Sequence, residues 1–285
     1  MRVAIIGAVL LALGACSAVR LGYEQGPLLA RWWLDRYLDF DAEQQPLVRQ
    51  GLTQWFAWHR ATQLEDYAGL LARAQEEVVQ PLSPAQACAW GRELRSRALV
   101  AAEAMLPHAA RVAVRLEPAQ IAHMEARMAR RNDELRRKVV QSDRQERYRA
   151  SVERTVERIE DFYGRLDASQ KRLVEESLAS SPFDADQFYA QRLVQQREIL
   201  ATLRRLATER PGEERAAGAL RELMARLAAE PSVDPQSAEQ RLLQHNCAFA
   251  ARLHNATTPA QRQHLRRKLR GWQDDARLLS ARAAP

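Results

Sequence analysis

The sequence predicts an all-α protein, an irregular and elongated bundle of many helices that follows a short apolar leader. Residues that favour helices, chiefly Ala, Leu, Arg, Glu and Gln, dominate the 285 positions, and only 11 residues are glycine. No segment shows the sustained alternation of β-branched residues that indicates strands. Helix-start signals recur along the chain at irregular spacing, so a regular solenoid is not expected.

The recurring start signal is a capping residue followed three positions later by Gln, the arrangement of a capping box, in which each of the two side chains bonds a backbone amide of the other residue. The chain carries eight such pairs, which begin at Asp41, Ser83, Glu117, Ser142, Asp167, Asp184, Ser237 and Thr258. They predict helices over roughly 28–39, 42–80, 84–105, 118–140, 143–164, 168–180, 185–208, 213–229, 238–256 and 259–280. Pro107 is expected to separate a short helix at 107–115 from the helix before it.

The N-terminus combines one arginine with an apolar run from Val3 to Leu13, which is too short to cross a bilayer and has the shape of a secretory leader. Its end, Leu13-Gly14-Ala15-Cys16, resembles the lipobox of bacterial lipoproteins. The resemblance implies cleavage before Cys16, lipidation of its thiol and acylation of its new amino group. The alternative is an ordinary leader that happens to contain a cysteine.

Ser17 bears on which membrane holds the anchor. In the sorting rule of enterobacterial lipoproteins an aspartate at this position retains the protein at the inner membrane. Serine therefore favours the outer membrane, with the protein facing the periplasm. The predicted organisation is a signal peptide at 1–15, a lipidated tether at 16–26 and a helical domain at 27–285, which could comprise two subdomains meeting near 180–185.

Residues 27–79 hold the densest apolar content, including four of the six tryptophans. The spacing from Leu47 onward predicts one long amphipathic helix with Trp55 buried and Trp58 at the margin of the core. Trp32 and Trp33 could lie in a membrane interface, where indoles prefer to be. They also belong to a helical apolar stripe, and this favours the core.

Cys88 and Cys247 remain once Cys16 is assigned to lipid. An oxidising periplasm would permit a disulfide between them. Each is also flanked by a small residue in a helical pattern, where a buried free thiol is common, and the sequence favours that second reading.

The sequence offers little to catalysis. It contains no H-E-x-x-H, C-x-x-C, G-x-S-x-G, Walker loop or dinucleotide fingerprint. His245, His254 and His264 lack the i, i+4 spacing of helical metal ligands and are expected at surface or hairpin positions. We therefore expect no enzymatic activity, no cofactor and no metal.

The net charge of +7 is dispersed among nearly as many acids, and 28% of the residues are charged. Three basic clusters therefore predict outward helical faces rather than a nucleic-acid site, with contact to lipid phosphates as the weaker alternative. The clusters are Arg127, Arg130 and Arg131; Arg136, Arg137 and Lys138; and Arg262, Arg266, Arg267, Lys268 and Arg270.

The lipobox, the aromatic segment RWWLDRYLDFDAEQ…WFAWHR and the Pro-Ala-Gln helix starts together resemble a proteobacterial lipoprotein family of unknown function. That resemblance implies an all-helical envelope lipoprotein and assigns no residue beyond Cys16. A fainter likeness is to Spy-type periplasmic chaperones, which carry Leu-Thr-x-x-Gln. Segments 82–86, 116–120 and 166–170 keep the Leu and the Gln but not the Thr, and the chain is longer.

Two functional hypotheses follow. The first is a non-catalytic module, anchored in the membrane through lipid on Cys16, that binds the membrane or other envelope proteins through a helical surface. The second is a carrier or enzyme with an internal ligand pocket. An exposed apolar groove would favour the first, and a closed pocket with convergent His, Asp or Glu would favour the second.

Overall fold

The computed structural model describes residues 18–140, 143–229 and 234–282. These residues form α-helices and contain no strand, so the all-α prediction is confirmed. The helices are α1 (Ala18–Glu24), α2 (Gly26–Leu38), α3 (Gln44–Thr62), α4 (Leu64–Glu77), α5 (Pro84–Ala113), α6 (Pro118–Leu135), α7 (Arg144–Tyr163), α8 (Ala168–Ala179), α9 (Ala185–Glu209), α10 (Glu213–Leu227), α11 (Ala238–Asn255) and α12 (Pro259–Ala281). A short π-helix, Arg136–Val140, extends α6.

Helix starts agree with the capping prediction where the structure describes the cap. Reciprocal bonds between the cap residue and its glutamine occur, for example, at Ser83, Asp167 and Thr258. Two helix starts differ. α3 begins at Gln44 after Glu43, although Asp41 and Gln44 still exchange bonds. Ser142 lies outside the described residues, and the cap of α7 is Asp143, whose carboxylate accepts from the amides of Gln145 and Glu146. These bonds hold the pKa of Asp143 below its usual range.

The single helix expected at 42–80 is two helices. α3 ends at Thr62 and α4 begins at Leu64, with Gln63 between them at φ −110°. The Gln63 amide still donates to the His59 carbonyl, and the Tyr67 amide donates to the Gln63 carbonyl. The bend therefore loses few backbone hydrogen bonds and does not require a proline or glycine. For this reason the sequence did not predict it.

The break predicted at Pro107 is wrong, because Pro107 lies inside the continuous helix α5. Proline removes one backbone bond and crowds the preceding turn, at a cost of about 3 kcal/mol. Contacts with α3, α9, α10 and α11 surround α5 and offset that cost. The segment predicted as a tether is also largely helical, because α1 begins at Ala18 and Gln25 keeps αR geometry between α1 and α2.

Two groups of four helices repeat the same set of contacts. In unit one (α2, α3, α5 and α6), α2 packs on α3 and α6, and α3 packs on α5. In unit two (α7, α8, α11 and α12), α7 packs on α8 and α12, and α8 packs on α11. The helix starts of the two units do not recur at a fixed spacing in the sequence, because α4 interrupts unit one, whereas α9 and α10 interrupt unit two.

A pair of glutamines lies at the centre of each unit. In unit one the side-chain amide nitrogen of Gln44 donates to Gln120 Oε1 at 2.9 Å, and that of Gln120 donates to Gln44 Oε1 at 2.6 Å. In unit two Gln170 and Gln261 exchange the same two bonds at 2.7 and 2.9 Å. Gln120, Gln170 and Gln261 are each the third residue after a helix cap, and Gln44 is the third residue after Asp41, with which it exchanges bonds.

Each paired glutamine also makes two backbone bonds. Its oxygen accepts from the amide of its own cap residue. Its nitrogen donates to the carbonyl two residues before the partner's cap, which belongs to Arg115, Asp39, Ala256 or Arg165. The two donor hydrogens and two acceptor sites of every amide are thereby used, which is what burial of a polar group requires.

The units are joined through corresponding helices and through α4. Cys88 on α5 and Cys247 on α11 form a disulfide, with Cα atoms 5.3 Å apart. The reading of these cysteines as free thiols is therefore wrong. α4 packs along α12, where Gln75 donates to Gln273 at 2.8 Å between two buried side chains.

Candidate functional site

Unit one contains an apolar cleft of about 580 Å³ between α2, α3 and α5, with α9 and α10 at its side. Its lining is almost entirely hydrocarbon. The lining residues are Ala30, Trp33, Leu34, Leu38, Phe40, Leu47, Val48, Gly51, Leu52, Trp55, Phe56, Met105, His108, Ala109, Val112, Ala113, Leu116, Leu203 and Leu220. The volume falls within the range of about 300–1,000 Å³ typical of small-molecule sites.

Small residues keep the cleft open while the helices stay close. Ala30 on α2 and Ala109 on α5 contribute short side chains to the walls. Gly51 sets the approach of α3 to α5, because a Cβ at this position would lie 2.9 Å from the Cβ of His108. A larger residue at 51 would push the two helices apart and change the shape of the cleft.

His108 is the one ionisable residue of the lining, and its Nδ1 is buried without a hydrogen-bond partner among the residues that the structure describes. Burial, reinforced by the nearby positive charge of Arg111, lowers the pKa of His108. The imidazole is therefore held in its neutral form, and the cleft carries no charge of its own near neutral pH.

One end of the cleft is aromatic. Trp55 is half-buried rather than buried as predicted, and its indole N–H donates to the Ala101 carbonyl at 2.8 Å. Trp58, expected at the margin of the core, is half-buried. His59 is buried and stacks on the Trp55 ring. Its Nδ1 shares a hydrogen bond of 2.9 Å with the Tyr23 hydroxyl.

An exposed apolar stripe runs along α1 and α2, on the outer side of the helix that forms one wall of the cleft. Leu21, Leu28 and Trp32 are each more than half exposed, and their spacing of seven and four residues places them on one helical face. Leu29 is exposed beside them. We call these four residues the α1–α2 stripe.

The placement of Trp32 and Trp33 in the core is wrong, since they are 58% and 54% exposed. Trp32 lies under the guanidinium of Arg36, 4.7 Å from the ring centroid. Trp33 stacks obliquely on Tyr37 and borders the cleft. The two tryptophans do lie on a helix as predicted, but the neighbouring helices cover only one side of its apolar surface.

His254 is buried in the hairpin between α11 and α12, one of the two predicted kinds of position, and bonds the Tyr163 hydroxyl and the Gln80 carbonyl at 2.9 Å each. His264 and the basic residues Arg130, Arg131, Arg136 and Arg137 are exposed, as predicted. Arg262 donates to the carbonyls of Val79, His254 and Asn255, so it holds the turn before α12. In the described part of the chain no cluster of three or more His, Cys, Asp or Glu could hold a metal ion.

Cys16 and Ser17, the predicted lipidation and sorting residues, lie outside the described residues. Among the helices that are described, none combines the length and the apolar character needed to cross a bilayer.

Comparison with known proteins gives a family and no activity. A model of a family of unknown function (DUF6279) matches residues 36–232, which include most of unit one and extend through α10. No curated protein and no solved structure matches the chain. Because the match covers more than half of its length, the chain belongs to this family of unknown function.

Proposed function

We propose that the protein is a lipoprotein of the outer membrane, anchored through Cys16, that faces the periplasm and lies with its α1–α2 stripe against the membrane surface as a non-catalytic module. The observation that carries this proposal is the position of the stripe. Leu21, Leu28, Leu29 and Trp32 follow the lipobox cysteine within 16 residues and are left exposed by the helices that the structure describes.

The chemistry of the stripe is that of a helix in a membrane interface. Leucine side chains would enter the boundary between headgroups and acyl chains, and an indole favours the same depth. Arg36, stacked on Trp32, would place a positive charge beside the anionic headgroups. Lipid on Cys16 would supply most of the affinity, and the stripe would fix the orientation of the protein on the membrane.

The anchor is tested by labelling with radioactive palmitate. The natural protein should incorporate label and Cys16→Ala should not, because the acylated atoms belong to that cysteine. Equal incorporation by both would contradict the anchor. A Cys88→Ala variant is the matched control and should label like the natural protein.

The orientation is tested by tryptophan fluorescence of the full lipoprotein in vesicles whose lipids carry bromine on their acyl chains, since bromine quenches only at close range. We expect Trp32→Phe to lose a distinct part of the quenching. Trp90→Phe, which removes an indole from the N-terminal part of α5, should lose none. The same quenching in all three proteins would exclude contact between the stripe and the bilayer.

A further inference from the structure

Unit two builds the same helix contacts around a buried apolar cluster. There Leu166, Val174 and Leu253 are nearly inaccessible, and Phe249 packs against them. Counted back from the paired glutamines, Phe249 occupies the place in α11 that His108 occupies in α5. Phe40 and Val48 of unit one are buried like their counterparts Leu166 and Val174, whereas Val112, the counterpart of Leu253, is half-buried and lines the cleft.

The lining restricts what can occupy the cleft. The described lining residues offer a single buried polar atom without a partner, His108 Nδ1. A polypeptide segment inserted here would bury backbone amides and carbonyls with nothing to bond, which is unfavourable for each group. A hydrocarbon chain has no such groups, and the transfer of each methylene from water favours its binding.

The surroundings indicate where such a chain would come from. α2 forms one wall of the cleft through Ala30, Trp33 and Leu34, and carries Leu28, Leu29 and Trp32 on its other side. Trp33 lines the cleft and is 54% exposed, so the cleft reaches the surface there, directly after Trp32 of the stripe. If the stripe lies on the bilayer, as proposed above, this opening lies near the headgroup layer. A lipid could then place one acyl chain in the cleft while its headgroup stays in water.

We propose that the cleft between α2, α3 and α5 binds one acyl chain of a membrane phospholipid. This inference rests on the proposed contact of α1 and α2 with the membrane, and it goes beyond that contact by assigning a ligand and a site. Trp33 and Trp55, which both line the cleft, would touch the bound chain. Its carbonyl ester would remain near the cleft mouth, and no covalent step is involved.

The first test uses the full lipoprotein in vesicles of phosphatidylethanolamine and phosphatidylglycerol with brominated acyl chains. The quenching that disappears on Trp55→Phe measures contact between Trp55 and a chain of an added lipid, which the protein's own Cys16 lipid cannot supply. We expect Trp55 to be quenched in the natural protein and in Ala89→Phe, and not in Ala109→Phe. The latter two variants add the same ring to α5, outside and inside the cleft respectively.

The second test measures phospholipid retained by the protein after extraction into mild detergent, by phosphorus content and mass spectrometry of the organic extract. We expect about one phospholipid per chain for the natural protein and at least a tenfold smaller amount for Ala109→Phe. Circular dichroism and thermal melting confirm that the variants are folded.

The outcomes separate the two proposals. Quenching of Trp32 without quenching of Trp55 would leave membrane contact in place and overturn the acyl-chain site. An unquenched Trp55 in the natural protein, or equal quenching in Ala109→Phe and Ala89→Phe, would overturn it as well. Absence of retained phospholipid would point instead to an apolar side chain of a protein partner. Quenching of Trp55 without Trp32 would support the site and overturn the orientation.

Discussion

Units one and two share their helix contacts, their glutamine pairs and even a cation–π contact, yet they differ in what they enclose. Arg127 lies over Tyr37 in unit one, and Lys268 lies over Phe162 in unit two, between corresponding helices. Unit one nevertheless contains a cleft of about 580 Å³, whereas unit two is packed around Leu166, Val174 and Leu253.

Beside the cleft, the two units differ at a few side chains. Seven residues after the paired glutamine, unit one has Gly51 and unit two has Ser177, which is buried and contacts His245. On the facing helix, His108 stands where unit two has Phe249. We therefore expect the function to lie at the cleft of unit one and unit two to contribute mainly to stability.

The largest expected effect concerns the covalent bond between the units. The Cys88–Cys247 disulfide closes a loop of 159 residues and should stabilise the protein by about 5 kcal/mol through the unfolded state. Urea unfolding with and without reductant should show a lower midpoint after reduction. The double variant Cys88→Ala/Cys247→Ala is the control and should not respond to reductant. A midpoint that reductant leaves unchanged in the natural protein would contradict the disulfide.

The second largest effect on stability is expected from breaking a glutamine pair, and it should be similar in the two units. Gln170→Leu removes both bonds to Gln261 and leaves the Ala256 carbonyl and the Asp167 amide without this partner, so we expect a loss of about 2–5 kcal/mol in the free energy of unfolding. Gln44→Leu should cost a similar amount in unit one. In a double-mutant cycle, Gln170→Leu/Gln261→Leu should cost less than the sum of the single changes. Strict additivity would show that the pair is not coupled.

The sequence predicted helix starts well because a capping box is a local signal, complete within four residues. It did not predict the pairing of Gln44 with Gln120, or of Gln170 with Gln261, because those contacts join residues far apart in the chain. A signal was nonetheless present. Leu-Val follows each N-terminal glutamine at the same distance, at 47–48 and at 173–174. That shared pattern marks the two related units.

The cleft could not be predicted for a physical reason. An apolar stripe shows which face of a helix turns inward, but not whether the facing helices fill the space in front of it. Trp55 illustrates this, since its position on the stripe is as expected and its ring still borders open volume. Gly51 and His108 gave no sign in sequence, because their effect lies in a contact between α3 and α5.

Exchanging the residues that distinguish the units should change stability in opposite directions. Phe249→His places a polar ring in an apolar cluster and should destabilise the protein by about 1–3 kcal/mol. His108→Phe removes an unpartnered nitrogen and buries more apolar surface, so it should stabilise by about 1 kcal/mol. Urea melts of both variants provide the measurement. If His108→Phe is less stable than the natural protein, the imidazole makes a stabilising contact in the cleft.

The smallest effect is a dependence of stability on pH that arises from buried histidines. His254 in unit two faces the Tyr163 hydroxyl, the Gln80 carbonyl and the positive charge of Arg262, and burial chiefly lowers its pKa. The carbonyl requires a donor, so Nε2 carries the proton and Nδ1 accepts from Tyr163, whose pKa burial raises to about 12. Burial also lowers the pKa of His59 in unit one.

Because both histidines bind protons more weakly when folded, their contribution to stability is complete above the unfolded pKa of about 6.5 and declines as the pH falls below it. Each can contribute a slope of up to about 1.4 kcal/mol per pH unit. Urea melts between pH 7.5 and 5 cover this window, which lies above the usual titration range of carboxylates. His254→Gln should flatten the slope. A slope that is unchanged in that variant would show that His254 does not control the pH dependence.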